Sequence, residues 1–315
     1  MDISVVVPVY NEEGNLHVLH ERLVNAVTSI TNDYEIIFIN DGSKDNSLSI
    51  LKAFVQHNPQ VKYIDFSKNF GHQTAVFAGL EHADGKAIVI IDADLQDPPE
   101  LIRVLYDRML QGFDVVFAQR EHRAGEPWHK LLTARLFYRA INWLSEVKIP
   151  LDTGDYRIIS RKIKDIIVSM PERNKFLRGQ IAWAGFNQTS VVYKREERYS
   201  GNTNYSYSKM FSFAFDGITA FSNLPLRLAT YMGFIVSFVS FLVILYTLFQ
   251  KYFIHDVVQG WSSLMVSILF IGGVQLICLG IIGEYLSRIM DNVKQRPLYI
   301  VRESNIKDMA QHNYQ

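Results

Sequence analysis

Three short stretches hold the residues best suited to chemistry. Asp92-Ala93-Asp94-Leu95-Gln96-Asp97-Pro98-Pro99-Glu100 places four carboxylates within nine positions, directly after the apolar run Ile88-Val89-Ile90-Ile91. Carboxylates this close repel one another unless a positive group sits among them. A hard divalent cation is the economical answer, since Mg²⁺ often bridges one or two carboxylates and substrate phosphates. Asp92 and Asp94 read as that pair. Asp97 and Glu100 read instead as the N-terminus of a following helix, with Asp97 as its cap and Pro98 or Pro99 in its first turn, where negative charge is favourable. The second stretch, Asn40-Asp41-Gly42-Ser43, brings another carboxylate to a strand end, although an Asp-Gly pair by itself is commonly only a turn. The third is Pro8-Val9-Tyr10-Asn11-Glu12-Glu13. Tyr10 and Glu12 beside Asp41 offer an aromatic face and acceptors suited to a base and a ribose. A dinucleotide-binding oxidoreductase would carry a Gly-rich turn after its first strand. Only Gly14 is near, and it lies well into the next segment.

These stretches need a scaffold that brings strand ends together. The first two-thirds of the chain alternates apolar strands with helical patterns. Strands are expected at Ile3–Val9, Glu35–Ile39, Val61–Phe66, Ala87–Ile91 and Asp114–Ala118. Helices are expected at Glu13–Ile30, Ser47–Gln56 and Thr74–His82, the first with Leu16, Leu19, Leu23 and Val27 on one face. Such alternation implies βαβ units and a mostly parallel sheet, with ligands beyond the carboxyl ends of its strands. The α/β domain is expected over residues 1–205.

The character changes after about Ser206. Met210, Ala214 and Ile218 share a helical stripe flanked by phenylalanines, so 206–226 reads as an amphipathic helix on a membrane surface. A core helix of the soluble domain is the other reading. Leu228–Phe249 and Ser262–Gly283 are each 22 residues without a charged side chain, and a hydrocarbon core of roughly 30 Å needs about 20. Two spans, about 228–249 and 262–284, therefore form a hairpin within 227–287. Arg227 precedes it, Arg288, Lys294 and Arg296 follow it, and Lys251 is the only lysine or arginine in the connection. The positive-inside bias puts both flanks, including the tail 288–315, in the cytoplasm. Lys+Arg and Asp+Glu are equal at 32 each, which argues against a nucleic-acid partner. Cys278 is the single cysteine, which excludes an internal disulfide and fits a reducing compartment. The strand at the very start, with Asp2 and no basic flank, does not resemble a secretory signal.

In this order, the three stretches resemble family 2 glycosyltransferases of the GT-A fold. More narrowly the chain is similar to the polyprenyl-phosphate glycosyltransferases, a group that includes dolichol-phosphate mannose synthase and bacterial undecaprenyl-phosphate sugar transferases. The match continues through Thr153-Gly154-Asp155-Tyr156-Arg157, the segment Met170 to Gly179, Tyr199 to Tyr205, and the two spans. The resemblance implies that Pro8, Tyr10, Glu12, Asp41 and Asp92 hold the nucleotide and that Asp92, Asp94 and Gln96 surround a Mg²⁺ or Mn²⁺ ion. It makes Asp155 the main catalytic carboxylate. His72-Gln73 departs from the pattern, since many members carry Lys-Glu there. Two anionic groups must meet, the donor diphosphate and an acceptor phosphate. Arg120, Arg123, Arg178, Arg198 and Lys209 are the cations expected to bring them together, because arginine clamps phosphate in a planar, bidentate way.

The implied reaction is an inverting transfer from a nucleotide-sugar, with UDP favoured over GDP and the sugar undetermined, to undecaprenyl or dolichyl phosphate. The product would feed cell-surface glycan modification. A phosphomonoester is mostly ionised at neutral pH, its second pKa being about 6, so general-base help is less necessary than for a hydroxyl. Asp155 can then be a base, position the acceptor or stabilise charge on the sugar. Rival readings are a transferase acting on a lipid hydroxyl such as diacylglycerol, and a non-catalytic membrane scaffold. A transporter fits less well, since neither span carries an ionisable residue at its middle. Two spans offer no obvious sugar pathway, so a separate flippase is expected to move the product. The tail from Asp291 is expected to be available to join subunits in a homo-oligomer.

Overall fold

The computed structural model describes residues 1–121, 153–173, 175–194, 224–249 and 260–306. They form two compact units. One takes in the N-terminal residues to 194 and the segment from 296 onward, and the other the helices between 224 and 295. The expected surface helix, up to residue 223, and most of the connection 250–261 lie outside the described residues.

The first unit is built on β1 (Ile3–Val9), β2 (Tyr34–Asn40), β3 (Val61–Phe66) and β4 (Ala87–Ile90), parallel and ordered β3-β2-β1-β4. All seven residues of β1 and of β2 are buried, as strands covered on both faces must be, which explains their near-continuous apolar composition. Side chains alternate between the two layers. Val5, Val7, Ile36 and Phe38 pack against α1 (Leu16–Thr28), α2 (Ser47–His57) and α4 (Leu101–Leu110). Val6, Ile37, Ile39 and Ile88 pack against α3 (His72–Glu81), α5 (Arg161–Ser169) and α6 (Leu177–Trp183). Gly79 lets α3 lie close on β1, because a Cβ there would stand 2.3 Å from Val6 Cγ1.

Beyond β4 the sheet turns antiparallel. β6 (Thr153–Ser160) pairs antiparallel with both β4 and β5 (Val115–Arg120), and β7 (Gln188–Tyr193) runs parallel to β5 at the edge. At the other edge β8 (Val301–Ser304) pairs antiparallel with β3 of the same chain. The tail expected to be free for other subunits thus contributes a strand to its own sheet. Tyr299 stacks on Phe66 at 4.8 Å, and Asn305 Oδ1 accepts from Tyr63 N at 2.7 Å. The order β7-β5-β6-β4-β1-β2-β3-β8 puts the reversal of strand order at β1, between β2 and β4, where a crevice opens beyond the strand ends.

In the second unit, α7 (Leu224–Phe249) and α8 (Trp261–Val293) are long and apolar enough to cross a membrane. Their apolar side chains point outward: Phe234 is 70% and Leu276 71% exposed. A helix apolar all round needs a protein core or a bilayer, and no core covers these among the described residues. Cys278 Sγ donates to Ala229 O at 3.7 Å, a contact between the two helices. Charge returns with Glu284 and Arg288, paired at 3.2 Å one turn apart.

Candidate active site

A cleft of about 260 Å³ opens at the reversal of strand order. Pro8, Tyr10 and Glu12 reach it from β1, Asp41 from β2, and Asp92 and Asp94 from β4. Another wall, Asn69, Gly71, His72 and Ala75, comes from the β3–α3 loop and the start of α3. Five residues expected to hold a nucleotide therefore converge on one cleft.

Local hydrogen bonds explain why these loops keep their shape. Asn11 takes the left-handed conformation, φ 57°, which asparagine tolerates better than most residues. Its N–H donates to Ser43 Oγ at 2.9 Å, and its Oδ1 accepts from Lys44 N at 2.8 Å. Glu12 N donates to Ser47 Oγ at 3.1 Å. The two strand-end loops thus hold each other. Asp41 is buried, and its two oxygens accept from Phe70 N at 2.6 Å and Gly71 N at 3.0 Å. Burial raises its pKa while those N–H groups pull the other way. Asp41 fixes the loop that forms the far wall. Gly42 permits this approach, because at φ +67° an added Cβ would stand 2.5 Å from the Lys68 backbone carbon.

Asp92 and Asp94 flank Ala93 at the end of β4. Leu95, buried at φ 58°, turns the chain sharply, and Gln96 N donates to Asp94 Oδ1 at 3.1 Å. Gln96 thus supports Asp94 through its backbone, and its side chain does not line the cleft. Asp92 Oδ1 is buried and accepts no hydrogen bond, and it stands 3.5 Å from His72 Nε2, so a bound cation would share this oxygen with the imidazole. Among the described residues no group of three His, Cys, Asp or Glu could hold a metal. Two carboxylates are a donor set that a hard ion completing its shell with water and substrate phosphate could use. Burial, with Asp155, Asp97 and Asp94 nearby, raises the Asp92 pKa, while His72 opposes the rise.

Asp155, on β6, gathers three side-chain donors from two elements, α3 and α6. Its Oδ1 accepts from Arg178 Nε at 2.7 Å, and its Oδ2 from Gln73 Nε2 at 3.2 Å and from His72 Nε2 at 3.1 Å. Arg157 stands 3.7 Å away, anchored by its own contact to Gly154 O at 2.8 Å. Burial opposes ionisation of Asp155, yet Arg178 and His72 outweigh it and hold the pKa well below the ordinary range. Crowding by the cleft walls works against a charge on His72, although 43% of its side chain is exposed, but Asp92 at 3.5 Å and Asp155 raise its pKa to about 9. His72 is thus a cation between the carboxylates of two strands. Burial brings the Arg157 pKa down to about 10, with Asp155 resisting.

The expected cations divide. Arg178 joins the Asp155 cluster. Arg120 lies beside it, its Nη2 3.8 Å from Asp97 and its Nε 3.5 Å from the Tyr193 hydroxyl. Arg123, Arg198 and Lys209 lie outside the described residues. Asp97 is not a helix cap: it is fully buried and accepts a hydrogen bond from the Tyr193 hydroxyl. Pro98 and Pro99 precede the helix, their carbonyls accepting from Leu101 N and Ile102 N, so the cap position falls to Glu100. Glu100 pairs with Arg22 at 2.7 Å.

His72 and Gln73 were missed as site residues, although His72-Gln73 had been marked as a departure from the family pattern. Their available signal was the β3–α3 loop, which follows a parallel strand and so opens on the same sheet edge as Asp41 and Asp92.

The family model Glycosyl transferase family 2 matches residues 4–167, and GtrB C-terminal hairpin matches 224–289. The uncharacterized glycosyltransferase YkcC of Bacillus subtilis is 48% identical over 301 residues, 96% of this chain and 93% of the relative. The SfII prophage-derived bactoprenol glucosyl transferase of Shigella flexneri is 42% identical over 305 residues, 97% and 99% of the two chains. The solved structure of glucosyl-3-phosphoglycerate synthase from Mycobacterium tuberculosis in complex with phosphoglyceric acid matches at 19% identity and a TM-score of 0.46, covering 69% of this chain and 78% of its own. The mostly parallel sheet with helices on both faces bears out the expected GT-A architecture. With one family model covering half its length and relatives alike across nearly all of it, the chain belongs to the family 2 glycosyltransferases.

Proposed function

We propose that this chain transfers a sugar, with inversion, from a UDP-sugar to a polyprenyl phosphate at the cytoplasmic face of the cell membrane. The observation that carries the proposal is the condition of Asp155. Its carboxylate accepts three side-chain N–H bonds and its pKa is well below the ordinary range, so it is a poor base. A hydroxyl acceptor needs a base, whereas a phosphomonoester, with a second pKa of about 6, arrives ionised. Similarity to a bactoprenol glucosyl transferase and a match to the GtrB hairpin support the same acceptor and a membrane location.

In this reading Pro8, Tyr10, Glu12 and Asp41 bind the nucleoside. Asp92 and Asp94 would hold Mg²⁺ or Mn²⁺, with Gln96 supporting Asp94, and such an ion would supply positive charge for the nucleoside diphosphate. Arg178 and His72, held by Asp155, supply positive charge beside the reacting centre, and Arg120, Arg123, Arg198 and Lys209 receive the phosphates. The acceptor phosphate oxygen attacks the anomeric carbon as the bond to the diphosphate breaks. The two spans keep the enzyme where the lipid phosphate lies, and a separate flippase moves the product.

The test is purified full-length protein in liposomes with undecaprenyl phosphate, Mg²⁺ or Mn²⁺ and a panel of nucleotide-sugars. A metal-dependent glycosylated lipid phosphate, lost in Asp94→Ala, is the expected result. Product on diacylglycerol but not on the lipid phosphate would overturn the acceptor assignment.

A further inference from the structure

The first residue of α6 shows how Asp155 and Arg178 are placed. The N-cap of this helix is Phe176, which makes no side-chain cap hydrogen bond. The N–H of Leu177 instead donates to Gln73 Oε1 at 3.1 Å, 104 positions away in sequence. The same amide donates from Nε2 to Asp155 Oδ2 at 3.2 Å. One side chain therefore joins the start of α3, the start of β6 at Asp155, and the first turn of α6. The next residue on that turn is Arg178, whose Nε donates to the other Asp155 oxygen at 2.7 Å. The two Gln73 bonds agree on its orientation: its oxygen must face a backbone donor and its nitrogen a carboxylate.

We propose that Gln73 is a positioning residue for sugar transfer, its amide setting the distance and angle between the Asp155 carboxylate and the Arg178 guanidinium. This rests on the function proposed above, in which that pair serves the transfer. Gln73 is suited to the task because it is neutral. It can brace an anion without adding to the charge that His72, Arg157 and Arg178 already supply. Many members of the family carry Lys-Glu here; with His72 in place of that lysine, a glutamate would keep the acceptor for Leu177 N but would lose the donor and set a second anion against Asp155.

The experiment compares Gln73→Leu and Gln73→Glu with the wild-type full-length protein in liposomes. Wild-type product from polyprenyl phosphate is measured first; its absence counts against the function proposed above, and hydrolysis of the nucleotide-sugar then supplies the rate for all three proteins. Gln73→Leu is expected to lower kcat about tenfold or more, with the donor KM little changed, as a buried charged partner loses a hydrogen bond. Amide hydrogen exchange over residues 177–180 should also quicken in Gln73→Leu. Gln73→Glu should keep α6 protected yet lose at least as much kcat. A Gln73→Glu enzyme at wild-type rate would make Gln73 a helix cap alone and overturn the proposal. Unchanged exchange in Gln73→Leu would overturn the bridge itself.

Discussion

A carboxylate surrounded by donors has little proton affinity left to lend. Asp155 receives Arg178, His72 and Gln73 and has Arg157 close by, so its contribution comes from its negative charge and fixed position. Asp155→Asn keeps the size of the side chain but removes the counter-charge of that cluster. It should lower stability by about 2 kcal/mol and lower kcat by about 100-fold through misplaced cations, while the donor KM changes less. Thermal unfolding and steady-state kinetics measure the two effects separately. A rate near wild type would show that the charge is dispensable. His72 has a pH signature of opposite sense. Its folded-state pKa of about 9 lies above the unfolded 6.5, so the stability it contributes is present below pH 6.5 and lost as pH rises through about 9. In EDTA-treated protein the melting temperature should therefore fall between those limits more in wild type than in His72→Gln. Equal slopes would mean that folding does not raise the His72 pKa.

At the scale of elements, β8 ties the far end of the chain to the donor side of the cleft. Arg302 donates to the carbonyls of Phe66 and Ser67 at 3.2 and 3.0 Å, and its Nε stands 3.5 Å from the fully buried Asp65. Asp65 in turn accepts from Asn40 Nδ2 at 2.7 Å, next to Asp41. Arg302→Ala should cost about 2 kcal/mol and raise the donor KM, because the loop carrying Phe70 and Gly71 to Asp41 loses its hold at Phe66 and Ser67. Arg302→Lys should recover only part, since an ammonium lacks the planar fork. A donor KM unchanged in Arg302→Ala would confine the effect to stability. These links also show where sequence reading works and where it stops. The strands of the parallel sheet were legible because β-branched runs covered on both faces leave an unbroken apolar pattern, and Asp41, Asp92 and Asp94 stood out as carboxylates just past those runs. β8 was not legible: Val301-Arg302-Glu303-Ser304 is short and polar, as an edge strand can be, and its partner lies more than 230 residues away. Asp97 was misread for a related reason. An acidic residue before two prolines fits a helix start locally, and only its distant partners Tyr193 and Arg120 reveal its role. His72 and Gln73 were hidden because their chemistry depends on Asp155 and Leu177, contacts that no local pattern announces.

Across the whole molecule, the catalytic sheet is completed by residues that follow both apolar helices. The boundary at 205 that seems natural from sequence therefore cuts away β8, although every other strand of the sheet lies before it. A fragment ending at residue 205 would leave β3 as an open edge. It would also leave Asp65 without Arg302 and Phe66 without Tyr299. Exposed edges pair with other chains, so this fragment should aggregate more readily and melt about 5 °C or more below a version in which residues 296–306 are restored through a flexible Gly/Ser linker, the shift expected for a loss of about 2 kcal/mol in a domain of this size. Differential scanning fluorimetry and light scattering on the two fragments, both lacking α7 and α8, make the comparison without a membrane. Equal melting temperatures would mean that β8 is only a tether. A recovered melting temperature together with recovered nucleotide binding would mean that the chain builds its donor site from both sides of the apolar hairpin, so that the hairpin is an insertion between two parts of one catalytic unit.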